Sequence, residues 1–140
     1  MKIAITGASG RMGRMLIEAV LAAPDMELAA ALDRSDSPAL GTDAGAFMGA
    51  KTGVTITDRT DEALAGCQVL IDFPRPEASM VYLDACRQHG VKMVIGTTGF
   101  SAEERARIQQ AAQDIAIVQA ANMSPGVNAA IRLIELATQM

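Results

Sequence analysis

Three glycines at three-residue spacing, Gly7, Gly10 and Gly13, stand near the start of this chain, in MKIAITGASGRMG. The apolar run Lys2-Ile3-Ala4-Ile5-Thr6 before them reads as a buried strand, and Arg14 to Leu21 after them reads as a helix. Strand, glycine turn and helix together are the setting in which a dinucleotide pyrophosphate is held. Gly7 permits a tight turn off the strand. Gly10 lets a phosphate approach backbone N–H groups, and Gly13 lets the helix pack close to the strand. The helix N-terminus adds unpaired N–H donors and a partial positive charge. The spacing is GxxGxxG rather than GxGxxG, so the pattern draws its meaning from its position.

A second pair of residues has matching chemistry. Met26 to Leu32 reads as the next strand, and Asp33 stands at its end, twenty residues after Gly13. An acid there can accept both hydroxyls of an adenine ribose, as in NAD. Arg34 follows directly, and a guanidinium there can meet the 2′-phosphate of NADP. The two pull in opposite directions, so NADPH or NADH is the expected cofactor.

The elements that position these residues are legible along the chain. Half of the 140 residues are hydrophobic but only 3% are aromatic, so the core is built from Ala, Val, Ile, Leu and Met. That composition suits a parallel sheet between Ala-rich helices. Ser35 to Lys51 reads as a loop with one helical turn near Ala44 to Met48. Val54-Thr55-Ile56-Thr57 reads as a short strand, and Asp58 to Ala65 as a short helix capped by Thr60 or Asp61 and stopped by Gly66. Gln68 to Phe73 is a fourth strand, broken by Pro74-Arg75-Pro76. Glu77 to His89 is a helix ended by Gly90, and Lys92 to Ile95 a fifth strand. Ser101 with Glu104 makes a capping box for a helix to about Gln113. Ile115 to Val118 is a sixth strand, and Val127 to Met140 a final helix. Right-handed crossovers then give an α/β fold, a doubly wound parallel sheet of the Rossmann type in one domain. Residues 1–126 form that dinucleotide-binding unit, and residues 127–140 lead out of it.

Ligands of such sheets lie beyond the carboxyl ends of the strands. Five polar or glycine-rich stretches fall there: Gly7 to Gly13, Asp33-Arg34, Phe73 to Arg75, Gly96 to Gly99 and Asn122 to Gly126. The net charge is −4 with no basic patch, so no nucleic acid is expected. No apolar run approaches the ~20 residues of a membrane span, and no signal peptide or metal-ligand spacing is visible, so a cytoplasmic protein without a membrane or metal partner is expected. Cys67 and Cys86 fit reduced thiols. Asp72 is expected to partner a helix N-terminus, His89 helix carbonyls, and the methionines other than Met12 and Met123 to fill the core.

In order along the chain, GASGRMG, the Asp33-Arg34 pair, IDFPRPE, VIGTTGF and AANMSPGVN resemble the dihydrodipicolinate reductase family. The resemblance covers essentially the whole chain. It implies reduction of an unsaturated cyclic dicarboxylate by NADH or NADPH, on the diaminopimelate route to lysine. It implies cofactor contacts at Gly7, Ala8, Gly10, Arg11, Met12, Gly13, Asp33, Arg34 and Phe73. It also implies them at Gly96, Thr97, Thr98, Ala121, Asn122 and Met123, with Ser124 beside that last stretch. Thr98 is further implied in holding the substrate. Pro74 stands where the family often has Thr or Ser, so one hydroxyl contact is absent. Full-length members run to roughly twice this length by domain counting. The resemblance therefore places the catalytic residues in a second domain, none of them in this chain, and implies a homotetramer and a fragment inactive alone.

Other readings share the nucleotide domain. A short-chain alcohol dehydrogenase needs Tyr with Lys four residues on, but Tyr82 is followed by Cys86. A homoserine or aspartate dehydrogenase remains the alternative enzyme, and a non-catalytic NAD(H)-sensing module the alternative outside catalysis.

Overall fold

Ile3 and Ile5 face one side of a sheet and Ala4 the other, and none is more than 1% exposed. This period-two burial on both faces identifies a central strand of a covered parallel sheet. The structure, a computed structural model, describes residues 1–139. The strands are β1 (Lys2–Thr6), β2 (Glu27–Leu32), β3 (Ile56–Thr57), β4 (Val69–Asp72), β5 (Lys92–Ile95) and β6 (Ile117–Gln119). The helices are α1 (Arg11–Ala22), α2 (Thr60–Leu64), α3 (Pro76–His89), α4 (Ala102–Ala111) and α5 (Pro125–Ala137). The strands pair in parallel in the order β3-β2-β1-β4-β5-β6. Strand order therefore reverses between β1 and β4, which is where such sheets open a ligand crevice.

α1 covers one face through Ile17 and Val20, which pack with Ile3, Ile5, Leu28 and Ala31. α2, α3 and α4 cover the other, where Leu64, Leu83 and Ile108 pack with Ala4, Leu32, Leu70 and Met93. The expected fold is the observed one.

Several local expectations are corrected. α1 begins at Arg11, not Arg14, because Gly10 takes extended backbone (φ −74°, ψ 167°) and is itself the N-cap. Gly13 therefore lies inside the first turn. β3 is confined to Ile56–Thr57, since Thr55 pairs antiparallel with Asp43. The Asp43 carboxylate accepts N–H bonds from Gly45, Thr52 and Gly53 and the Thr52 hydroxyl, which fastens that loop. Neither Thr60 nor Asp61 caps α2: the cap position is Arg59, without a side-chain bond.

His89 does not meet helix carbonyls. Its Nε2 lies 3.4 Å from Asp61 Oδ1, and the carbonyls of Cys86 and Arg87 are taken by the Gly90 N–H. Of the described methionines, Met80 and Met93 are core, whereas Met15, Met26 and Met48 are exposed. The capping box of α4 is formed: Glu104 N–H donates to Ser101 Oγ at 3.2 Å, and Ser101 N–H to Glu104 Oε2 at 2.7 Å. The last helix begins at Pro125 with Ser124 as cap, two residues before the expected start. Its apolar residues Ile131, Leu133 and Ile134 are exposed.

Candidate functional site

The turn after β1 is closed by a Gly10 N–H bond to the Gly7 carbonyl at 2.9 Å, with Gly7 at φ +61°. The first helical bond of α1 runs from Arg14 N–H to the Gly10 carbonyl. The N–H groups of Arg11, Met12 and Gly13 precede it, and Gly10 has no side chain to accept from them. They form a donor set at the positive end of a twelve-residue helix, suited to an anion. A Cβ at Gly13 would overlap the Gly7 carbonyl and the Ala8 backbone, so glycine there brings the helix against the turn. Ala8 is buried and its N–H goes to the Leu32 carbonyl at 3.0 Å, so it joins the turn to β2.

Asp33 directly follows β2 and is 8% exposed. Its Oδ2 accepts from Ser9 N–H at 3.0 Å and Ser37 Oγ at 3.2 Å, and its Oδ1 accepts from Arg34 N–H at 2.9 Å. Burial alone would raise its pKa, but the hydrogen bonds from Ser9, Arg34 and Ser37 outweigh it and hold the group below the ordinary carboxylate value. Asp33 is thus a fixed anion touching the glycine turn, with Oδ1 carrying a single partner. Arg34 extends to solvent, with Nε 3.1 Å from Asp36.

Two cavities meet at the switch point. One, of about 500 Å³, is lined by Thr6 and the glycine turn, with Arg11, Met12 and Phe73. The other, of about 590 Å³, is walled by Met12, Phe73 and Gly96 and by Ala121, Asn122, Met123 and Ser124. Met12 and Phe73 line both, so the two adjoin along one crevice edge, one part donor-rich and the other apolar. The Phe73 ring lies in the space that a side chain at Gly96 would take. Leu16, Ile71 and Val94 floor the apolar end, and sequence reading missed them. The signal was there for Leu16, four residues after Met12 on one helical face. A separate cleft of about 600 Å³ lies along the β2–β3 edge, remote from the glycine turn and beside the five-residue α2.

Thr97 and Thr98 part company. Thr98 is exposed and lines a third cavity, of about 310 Å³, with Arg105 and Gln119. Arg105 is held by its Nη1 bond to the Phe100 carbonyl. Thr97 is 5% exposed and its hydroxyl turns inward, 3.4 Å from Asp72 Oδ2 and from the Pro74 carbonyl. Its side chain does not face the crevice; only its backbone belongs to the ligand-facing loop.

Asp72 likewise departs from expectation. It is fully buried and meets no helix N-terminus. Its Oδ2 accepts from Ser79 Oγ, one turn into α3, at 2.5 Å, and its Oδ1 from Thr6 Oγ1 at 3.1 Å. Burial pushes this carboxyl up to about 6 against the hydrogen bonds of Ser79, Thr6 and Thr97. Asn122 shapes the last turn: its Oδ1 accepts from Ser124 N–H at 2.8 Å and its carbonyl from Asn128 Nδ2 at 3.1 Å. Cys67 and Cys86 are both free thiols. Among the described residues no cluster of three metal-ligating side chains occurs, and no helix is long and apolar enough to cross a membrane.

The residues that line the crevice suit a dinucleotide. Its donor end is lined by glycines, and its far end is an apolar cavity of about 590 Å³.

The comparisons agree with this geometry. The family model described as dihydrodipicolinate reductase, N-terminus, matches residues 1–123. Proteins named 4-hydroxy-tetrahydrodipicolinate reductase from Burkholderia pseudomallei (strain 668) and Burkholderia thailandensis are 59% and 58% identical over 139 residues. Those matches cover 99% of this chain and 52% of the relatives, so the chain spans about half their length. A solved structure of dipicolinate-bound dihydrodipicolinate reductase from Paenisporosarcina sp. TG-14 aligns with a TM-score of 0.69 at 28% identity, over 87% of this chain and 47% of that one. An amine dehydrogenase from Mycobacterium smegmatis shares the fold, with a TM-score of 0.67 at 20% identity over 84% of this chain and 38% of that one. With residues 1–123 matched, the chain belongs to the dihydrodipicolinate reductase family, in its N-terminal region.

Proposed function

We propose that this chain holds NADPH or NADH and is the cofactor-binding part of a reductase acting on a cyclic dicarboxylate of the dipicolinate type, a step of lysine biosynthesis through diaminopimelate. The observation that supports it most is the pair of adjoining cavities that share Met12 and Phe73 as walls. They join a helix N-terminus to an apolar slot at the point where strand order reverses.

The N–H groups of Arg11, Met12 and Gly13 bind the pyrophosphate, with Gly7 and Gly10 keeping the approach clear. Ala8 secures the turn beneath it. Asp33 takes a ribose hydroxyl at Oδ1, and Arg34 reaches a 2′-phosphate when one is present. Met12, Phe73, Gly96, Ala121, Asn122 and Met123 wall the slot for the nicotinamide and exclude water. The bound cofactor supplies hydride from C4 of its ring. Thr98 offers a hydroxyl to a substrate carboxylate, with the backbone N–H groups of Thr97 and Thr98 beside it. Residues 1–126 are the nucleotide unit, and the chain from residue 127 leads to a substrate domain that supplies the proton donor and the contacts of a homotetramer. The reductase works in the cytoplasm, and this chain alone has little or no turnover.

Calorimetric titration with NADH and NADPH, with and without pyridine-2,6-dicarboxylate, tests the reading. Binding of at least one nucleotide, little changed by the dicarboxylate, is expected. Near-normal turnover by the 140-residue chain would overturn the division of labour. Absence of nucleotide binding would overturn the cofactor assignment.

A further inference from the structure

One buried carboxylate lies under three of the ligand-facing loops. Thr6, whose hydroxyl donates to Asp72 Oδ1, is the residue before Gly7, and its Oγ1 accepts the Phe73 N–H at 3.3 Å. Phe73 is the residue after Asp72, and the Asp72 carbonyl accepts the Gly96 N–H at 2.9 Å. Thr97, whose hydroxyl reaches Asp72 Oδ2, sits in the middle of the Gly96–Thr98 loop. Ser79 closes the set from α3 with the shortest bond, and its Oγ is also 3.1 Å from Thr97 Oγ1. No buried side-chain polar atom among the described residues is left without a partner, so this network is complete.

We infer that Asp72 is a positioning residue of the nucleotide crevice: its ionised carboxylate, through Thr6, Ser79 and Thr97, fixes the glycine turn, Phe73 and the Gly96–Thr98 loop relative to one another. This rests on the nucleotide-binding reading above. The hydrogen count gives the reason. An ionised carboxylate only accepts, so the Thr6, Ser79 and Thr97 hydroxyls all point to it. A protonated Asp72 must donate. Its proton then goes to Ser79 Oγ, the Ser79 proton turns to Thr97 Oγ1, and the Thr97 proton turns to the Pro74 carbonyl 3.4 Å away. Protonation therefore reverses the chain of hydroxyls and loosens the tie on Thr97.

The other groups facing Asp72 do not titrate in the same range. Tyr82 and Cys86 on α3 are pushed up to about 12, by burial first and then by the Asp72 charge. None of the ion pairs among the described residues includes Asp72. His89, at the far end of α3, is engaged with Asp61.

The test is NADH binding by the full chain at pH 5, 6, 7 and 8, for the unaltered protein, Asp72→Asn and Ser79→Ala, with thermal melts alongside. NADH serves as the probe because it lacks a 2′-phosphate that titrates near the same pH. The unaltered protein is expected to bind about tenfold more weakly at pH 5 than at pH 8. Asp72→Asn should bind weakly at every pH with a flat profile, although it melts no lower at neutral pH. Ser79→Ala, which removes only a hydroxyl remote from the crevice, should weaken binding several-fold and keep a pH step. It carries the test if Asp72→Asn does not fold. Equal binding by the unaltered protein and the folded variants across this range overturns the proposal and leaves the nucleotide reading standing. No NADH binding by the unaltered protein at pH 8 overturns both.

Discussion

The Phe73 ring fills the space in which a side chain on Gly96 would begin. Two loops from neighbouring strands, β4 and β5, thus meet face to face where the donor-rich and apolar parts of the crevice join. Gly96→Ala must displace the ring. The expected cost is about 1–3 kcal/mol of stability by overpacking, with NADH affinity reduced at least several-fold. Urea denaturation and nucleotide titration of this variant check both, and unchanged affinity would show that the ring does not wall the site.

Gly13→Ala is a harder collision. The obstacle is the Gly7 carbonyl and the Ala8 backbone, which cannot rotate away as a side chain can. The variant should lose about 3 kcal/mol and its nucleotide binding together, because α1 must move off β1. Circular dichroism melts with parallel titration read the two losses.

The carboxylates set a two-part pH dependence. Asp72 has a folded-state value of about 6 against an ordinary 3.8, so its ionisation opposes folding at neutral pH. That penalty is full above about pH 6 and is relieved as pH falls toward 4, by about 3 kcal/mol. Asp33 and Asp43 act in the opposite sense. Asp33 is held below its ordinary value by the Ser9, Arg34 and Ser37 bonds that overcome its burial, and Asp43 by the Thr52 and Gly45 N–H groups above all. Their contribution is present above about pH 4 and is lost in stronger acid. Urea unfolding from pH 7.5 to 5 should therefore show the unaltered protein gaining stability relative to Asp72→Asn. Parallel curves would contradict the assignment.

Ser101→Ala removes the side chain that accepts the Glu104 N–H at the start of α4. The expected loss is about 1 kcal/mol, seen as a lower melting temperature, with NADH affinity unchanged.

Arg34→Ala separates the two nucleotides. Arg34 is largely exposed and shares only a surface contact with Asp36, so stability should barely change. NADPH affinity should fall at least several-fold while NADH affinity holds, as competitive titration would show.

What sequence alone revealed was local. Gly7, Gly10 and Gly13 fix a turn by spacing, Ser101 and Glu104 cap a helix across three residues, and Gly90 stops another. The parallel order follows from alternating strands and helices. The parts that escaped are ties between distant residues. Thr6 and Asp72 are 66 positions apart, Asp72 and Thr97 25, and Asp61 and His89 28. A carboxylate after an apolar strand reads the same whether it meets a helix end or three hydroxyls. Thr97 and Thr98 are identical as letters, and the course of the loop after β5 decides that Thr97 turns to the core and Thr98 to the cavity beside Arg105. The shortening of β3 depends on Asp43 reaching back across a loop to Thr55, which no strand pattern encodes.

The claim that most of this depends on is that a nucleotide lies along the crevice from Gly10 to Met123. Backbone amide resonances followed during NADH titration of the full chain test it directly. The account predicts shifts concentrated at residues 7–13, 33–34, 73, 96–98 and 121–124. Shifts confined to the β2–β3 cleft around Leu40 and Arg59, or none at all, would contradict it.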